Sequence, residues 1–408
     1  MELRQYQKEI SDQAAGIVNM FGFVYLAMQV RTGKTATSLQ TAKNIGAKKI
    51  LFVTKKKAIS SIEKDAVSMK VNALVINYES IHKIEDRDFD CIVLDEAHSM
   101  GAFPKPSGRA KSIKDLYVSL KCPPVIYLSG TPSPESYSQM YHQLYFLKDG
   151  PYDLYKNFYK WAADFVVIKQ RWIGGMPHND YSGAIKQKVE NSVSPFTISY
   201  TQKEAGFESS VEEEVIHVDI AINHIIDRLK KDMVVTGKSD AILADTGSKM
   251  MQKLHQLYSG TCIMESGNSS VLDMSKAWFI YERFKGEKIG IFYKFKAELE
   301  AIINAYGKDN ITTDIEEFDT TDKCIALQIV SGREGISLRN AKYIVFYNID
   351  FSATSYWQAR DRMTTMDRTH NKIFWIFSKG GIEDKIYSVV NKKKNYTLSH
   401  FKKDLLSL

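Results

Sequence analysis

Short runs of unbroken apolar residues, set between helical patterns, constrain this chain more than any other feature. Residues 23–28, 49–54, 73–77, 90–94 and 124–129 form one series, and residues 35–45 carry a helical pattern between its first two members. A strand with one wet face alternates polar and apolar. A strand that is apolar throughout has both faces covered, which is the signature of a parallel sheet flanked by helices. A second series follows at residues 289–293, 324–329, 343–347 and 373–377. The sequence therefore predicts an α/β chain with two parallel-sheet domains in tandem.

A length of 408 residues agrees, because it exceeds what one ordinary core organises. The expected divisions are a first domain over 1–149, an inserted subdomain over 150–206, a mostly helical linking region over 207–271 and a second domain over 272–408. The insertion is assigned on texture. Tyr152, Tyr155, Phe158, Tyr159, Trp161, Phe165, Lys169, Arg171 and Trp172 crowd aromatics and basic groups together, and a turn-rich stretch follows at Gly174-Gly175-Met176-Pro177. Such a segment either stacks on unpaired bases as a wedge or packs a small core.

The bulk composition excludes several classes. The four cysteines are scattered without a C-x-x-C pair, so zinc sites and disulfide frameworks are not expected. No apolar run reaches bilayer length, and the N-terminus lacks the apolar stretch of a signal peptide. A cytoplasmic protein without a membrane partner is the expectation. The formal net charge of +7 is a mild bias compatible with a nucleic-acid partner.

The chemistry concentrates in two places. Arg31-Thr32-Gly33-Lys34-Thr35 lies between an apolar strand and a helix. There, backbone N–H groups at a helix N-terminus, a lysine and a hydroxyl can hold phosphates and Mg²⁺. The G-x-x-x-x-G-K-T pattern is incomplete, since Met28 stands where its first glycine belongs. Asp95-Glu96-Ala97-His98 follows the apolar run Ile92-Val93-Leu94. That puts two carboxylates at the C-terminal end of a buried strand, where ligands bind in such sheets. Asp95 suits Mg²⁺ through water, and Glu96 suits the polarisation of an attacking water.

With these residues in view the chain resembles superfamily 2 helicases. Asp95-Glu96-Ala97-His98 resembles the DEAH motif II, and Ser129-Gly130-Thr131-Pro132 resembles motif III of the Swi/Snf-like branch. Leu3-Arg4-Gln5-Tyr6-Gln7 resembles the adenine-reading motif. Phe52-Val53-Thr54-Lys55 resembles motif Ia, and Asn77-Tyr78-Glu79-Ser80 resembles motif Ib. In the second half, residues 291–295 resemble motif IV, 331–338 motif V and 358–362 motif VI. The compact length and the segments Asp180-Tyr181 and 201–207 are most similar to phage-encoded members.

The resemblance implies two RecA-like domains with ATP and Mg²⁺ as cofactors. It assigns Gln7 to the adenine and Arg31, Thr32, Gly33, Lys34, Thr35 and Gly335 to the nucleotide. Thr35 and Asp95 would hold the metal, with Lys34, Asp95, Glu96 and Arg362 catalytic. The second motif VI arginine falls on Thr365, which leaves Arg360 and Arg368 as neighbouring candidates for the finger. Thr54, Lys55, Lys56, Tyr78, Thr131, Lys294 and Ser331 would meet nucleic acid through its phosphates. The implied activity is that of a monomeric, sequence-nonspecific motor. It would unwind or branch-migrate forked DNA in phage replication or recombination, working in the host cytoplasm with replication or recombination proteins as possible partners. A duplex translocase without strand separation, and an ATP-gated clamp with a weakened motor, are the alternatives. RNA stays open as a substrate.

Overall fold

A computed structural model describes residues 2–173, 176–206, 210–237, 240–329, 338–352, 355–356 and 370–392. The chain divides into two compact units, Met1–Phe207 and Glu208–Leu408.

The first unit opens with helix α1 (Gln5–Phe21), which ends on the left-handed Gly22. Ile10, Ala14 and Val18 fall on one face and are buried. Burying each of the two larger side chains is worth about 1.5–3 kcal/mol. Ala14 is fully buried in the same cluster as Ala36, Leu39 and Ala42 of helix α2 (Lys34–Asn44). Strands β1 (Phe23–Met28), β2 (Ile50–Thr54), β3 (Ala73–Asn77), β4 (Cys91–Leu94) and β5 (Val125–Leu128) match the predicted apolar runs to within a residue or so at each end. All pair in parallel, in the order β3-β2-β4-β5-β1.

Residues 150–206 do not stand apart from this unit. Tyr152, Phe158 and Trp161 are buried in its core beside Tyr141, with the rings of Trp161 and Phe165 stacked at 5.0 Å. A hairpin of β6 (Lys169–Ile173) and β7 (Met176–Asp180) follows, then β8 (Thr197–Tyr200). β8 completes the sheet by pairing in parallel with β1, Met28 opposite Tyr200. The predicted insertion is thus largely core and sheet edge.

The second unit begins with β9 (Ser210–Val218). Two small hairpins, β10 (Val234–Thr236) with β11 (Ala241–Leu243) and β12 (Thr261–Ile263) with β13 (Ser269–Val271), flank helix Gly247–Tyr258. Its sheet contains β14 (Ile289–Tyr293), β15 (Ile311–Thr312), β16 (Cys324–Gln328), β17 (Tyr343–Phe346) and β18 (His370–Ser378). The order is β15-β16-β14-β17-β18-β9, parallel throughout. The region expected to be a helical linker therefore supplies an edge strand. The architecture is two RecA-like α/β domains in tandem. Among the described residues no helix is long and apolar enough to cross a membrane.

Candidate active site

The parallel order of the first sheet brings four strand ends to one edge. β1 runs into the loop Gln29–Gly33, β2 ends at Thr54, β4 delivers Asp95 and β5 delivers Ser129. Backbone bonds fix the heights of these ends. Asp95 N donates to Val53 O at 2.8 Å, and Ser129 N donates to Leu26 O at 3.2 Å.

The loop after β1 has a demanding backbone. Arg31 has φ 64° and Gly33 φ 77°. Left-handed backbone costs a residue with a Cβ about 1–2 kcal/mol, so Arg31 is held there by its surroundings. Position 33 favours glycine through its left-handed backbone, and a Cβ there would also displace the Gln7 amide, which lies 1.9 Å from where it would stand. Gln7 Nε2 lies 3.4 Å from Thr32 O, and Arg4 N donates to Gln7 Oε1 at 2.9 Å. The N-terminal segment carrying Arg4 and Gln7 is thus in direct contact with the loop.

Gly33 caps the N-terminus of α2, so the first N–H groups of the helix open onto the loop. Lys34 Nζ lies 3.3 Å from Gln29 O, a backbone oxygen a phosphate can replace. Thr32 is fully buried and its hydroxyl donates to Gln29 O at 2.8 Å. It shapes the loop.

Asp95 is the electrostatic centre. Burial, then the Glu96 carboxylate beside it, push its carboxyl up to about 6; a hydrogen bond from Thr54 and the Lys34 charge act in the opposite direction. Thr54 Oγ1 donates to Asp95 Oδ2 at 2.7 Å, and Tyr78 OH donates to Asp95 O at 2.7 Å. A carboxylate kept costly in this way favours a bound cation. Glu96 has φ 51°. Its Oε2 lies 3.2 Å from His98 Nδ1, which is 3.0 Å from Ser129 Oγ. Ser129 Oγ in turn accepts from Thr131 N at 3.1 Å. A polar chain therefore runs from Glu96 to the exposed turn after β5.

The structure sorts the expected nucleic-acid contacts. Lys55, Lys56 and Thr131 lie at the ligand-facing edge with solvent access. Thr54 and Tyr78 are buried and hydrogen-bond Asp95. In the second unit Lys294 pairs with Asp350, with the two side chains only 16% and 12% exposed. Ser331, Gly335, Arg360, Arg362, Thr365 and Arg368 lie outside the described residues.

The donor set suits ATP with Mg²⁺: helix N–H groups and a lysine for phosphates, and a hydroxyl and a carboxylate for the metal. Mg²⁺ keeps several waters and asks for only one or two protein carboxylates. Accordingly, no group of three or more metal-binding side chains occurs among the described residues.

The family model of the SNF2-related domain matches residues 31–234, from the phosphate loop to β10. The chain belongs to this family. SNF2-family proteins are ATPases of the superfamily 2 type and work with ATP and Mg²⁺. Membership also suggests DNA as the substrate and an ATP-dependent translocase or helicase-like activity. Comparison with curated proteins gives no match.

Some residues at this SNF2-related site were not anticipated. Tyr6 OH donates to Thr32 O at 3.1 Å, and Tyr200 stacks on Tyr6 at 4.9 Å. Phe196, Ile198 and Tyr200 alternate with smaller polar residues, a period-two signal of the strand that carries Tyr200 to the loop.

Proposed function

We propose that this SNF2-related chain is a DNA-stimulated ATPase that converts hydrolysis into movement along DNA, with forked or branched duplexes as its working substrate. The observation that carries the reading is the gathering of Lys34, Thr35, Asp95 and Glu96 at one edge of one parallel sheet, with Gln7 against the same loop.

Bound Mg²⁺–ATP supplies the phosphoanhydride to be cleaved. Lys34 leaves the Gln29 carbonyl to meet the β- and γ-phosphates. The Thr35 hydroxyl and the Asp95 carboxylate would hold the metal, and the α2 N-terminus would face the phosphate charge. Glu96 accepts a hydrogen bond from water and aligns it for attack. Gln7, braced at both ends of its amide, presents the remaining N–H and lone pair to the adenine edge. Arg362, with Arg360 or Arg368, would supply the charge that stabilises the transferring phosphoryl group. Lys55, Lys56 and Thr131 meet DNA phosphates, contacts that carry no sequence information.

Strand separation would fall to the hairpin β6–β7. Tyr152, Phe158 and Trp161 are committed to the core, so deleting 152–172 would unfold the unit rather than test a wedge. Steady-state ATP hydrolysis alone, then with single-stranded, duplex and forked DNA and with RNA, tests the motor. Strong stimulation by DNA is expected. Turnover unresponsive to every nucleic acid would sink the motor and leave an ATP-gated clamp. Replacing 169–180 by a short turn should abolish displacement on forks while duplex-stimulated ATPase persists. Unchanged displacement would assign strand separation to an element other than this hairpin.

A further inference from the structure

We infer that Gln202 is a positioning residue for the nucleotide, acting as a latch that holds the phosphate loop from outside. The inference rests on the ATP reading above and adds to it a residue outside the two motifs that carry the phosphate and metal chemistry.

The loop needs an outside hold. Met28 occupies the place of the motif's first glycine and is fully buried at the end of β1. The chain then turns through Gln29, Val30 and the left-handed Arg31. The end of β8 and the segment after it meet this turn in three ways. Gln29 N donates to Tyr200 O at 2.9 Å. Gln202 N donates to Gln29 Oε1 at 2.8 Å. Gln202 Nε2 donates to Val30 O at 3.0 Å. On the other flank the Tyr200 ring lies on Tyr6, whose hydroxyl reaches Thr32 O. Residues 200–202 thus bracket the loop and also touch the helix that carries Gln7.

Gln29 is the shared point. Its side chain and N–H are held by the latch, while its carbonyl accepts from Thr32 Oγ1 and Lys34 Nζ. Moving Gln29 moves the acceptor on which the catalytic lysine rests. The latch is itself braced, since Thr201 N and Oγ1 both donate to Glu204 Oε2 at 2.7 Å. These are also among the last residues of the first unit, which ends at Phe207.

The test uses the full chain with saturating duplex DNA. KM and kcat for ATP are measured, together with the rise in Tm on adding Mg²⁺–ATP. Gln202→Ala should raise KM about three- to tenfold, the worth of one neutral hydrogen bond, with kcat little changed. Gln202→Lys keeps a donor for the Val30 carbonyl and should restore KM. Gln202→Glu sets an acceptor against that carbonyl and should be worse than alanine. Lys203→Ala, one residue along and exposed, should change nothing. An unaltered KM in Gln202→Ala, or a lower Tm with an undiminished Mg²⁺–ATP increment, overturns the latch and leaves a plain structural strut. A wild-type Tm indifferent to Mg²⁺–ATP would defeat the nucleotide reading and the latch with it. A responsive wild type matched by Gln202→Ala would defeat the latch alone.

Discussion

The two parallel sheets present corresponding C-terminal edges, and they use their charges in opposite ways. At the first edge Asp95 and Glu96 repel each other, Glu96 and Arg31 sit in left-handed backbone, and Lys34 rests on a backbone carbonyl. At the second, polar groups close on one another. Lys294 pairs with Asp350, and the Glu298 carboxylate accepts from the backbone N–H groups of Lys294 and Phe295 and from Asn348. His255 Nε2 lies 2.7 Å from Asn348 Oδ1. Burial, and then the Lys294 charge, hold that imidazole well below its usual range, so it stays neutral. Burial pushes the Asp350 carboxyl up, but Lys294, helped by a hydrogen bond from Ser355, brings it below its ordinary value. The first edge leaves its charges for a ligand to meet, whereas at the second they are met largely from within, although burial still holds the Glu298 carboxyl above its usual range.

The sharpest way to break this contrast is to remove one lysine from each edge. Lys34→Ala should cut ATP turnover by about 10²–10³-fold while the fold persists. Lys294→Ala should spare most turnover but destabilise the second unit by about 3 kcal/mol, because Asp350 is left buried and unpaired. Denaturant unfolding and ATPase assays on both variants decide it. A stable Lys294→Ala with lost DNA stimulation would make the second edge a working surface too. Glu96→Gln should retain ATP binding yet lose about 10²–10⁴-fold in hydrolysis. A variant that still turns over would place the water-orienting group elsewhere.

The pH response sharpens the same point. Asp95 is shifted upward to about 6, so it holds a proton below that pH and is ionised above it. Protons should then compete with Mg²⁺, raising half-saturating Mg²⁺ about tenfold between pH 8 and pH 5. An aspartate at its ordinary value would give almost no change. The smallest effect concerns stability. The folded value lies above the unfolded one, so ionised Asp95 costs the fold at neutral pH and the cost fades as pH falls through about 6. Asp95→Asn should therefore lose turnover yet raise Tm at pH 7.5, by about 2–4 °C for each kcal/mol relieved, and by less at pH 5. A lowered Tm would show that Asp95 serves the fold rather than straining it.

Most central strands were legible because burial on both faces leaves an unmistakable run of apolar residues. Among the edge strands β3 was legible too, but β8, β9 and β15 were not. β9 contains Glu212-Glu213-Glu214, which reads as a solvated acidic stretch. Its partners come from much later in the chain: Lys372 bridges Glu212 and Glu214, while Glu213 accepts from Trp375 Nε1 at 2.9 Å and Tyr356 OH at 2.8 Å. No local pattern encodes that neutralisation. At the site, the residue types in the two motifs announced phosphate and metal chemistry. The buried roles of Thr54 and Tyr78 on Asp95 depend on strand heights, and the role of Gln202 depends on β8 lying beside β1, which only the assembled sheet creates.

That pairing of early and late segments also bears on how the chain is made. β1 is finished by a strand synthesised at the end of its unit, and β9 waits for β18, with Ser210 opposite His370. Parallel pairings of such long sequence separation form slowly and leave sticky edges exposed meanwhile. On the ribosome the first sheet can close, and its phosphate loop can be secured, before the second has received its last strand. A stalled or truncated chain would then carry a nearly finished nucleotide-binding half attached to an open, acidic strand awaiting its lysine.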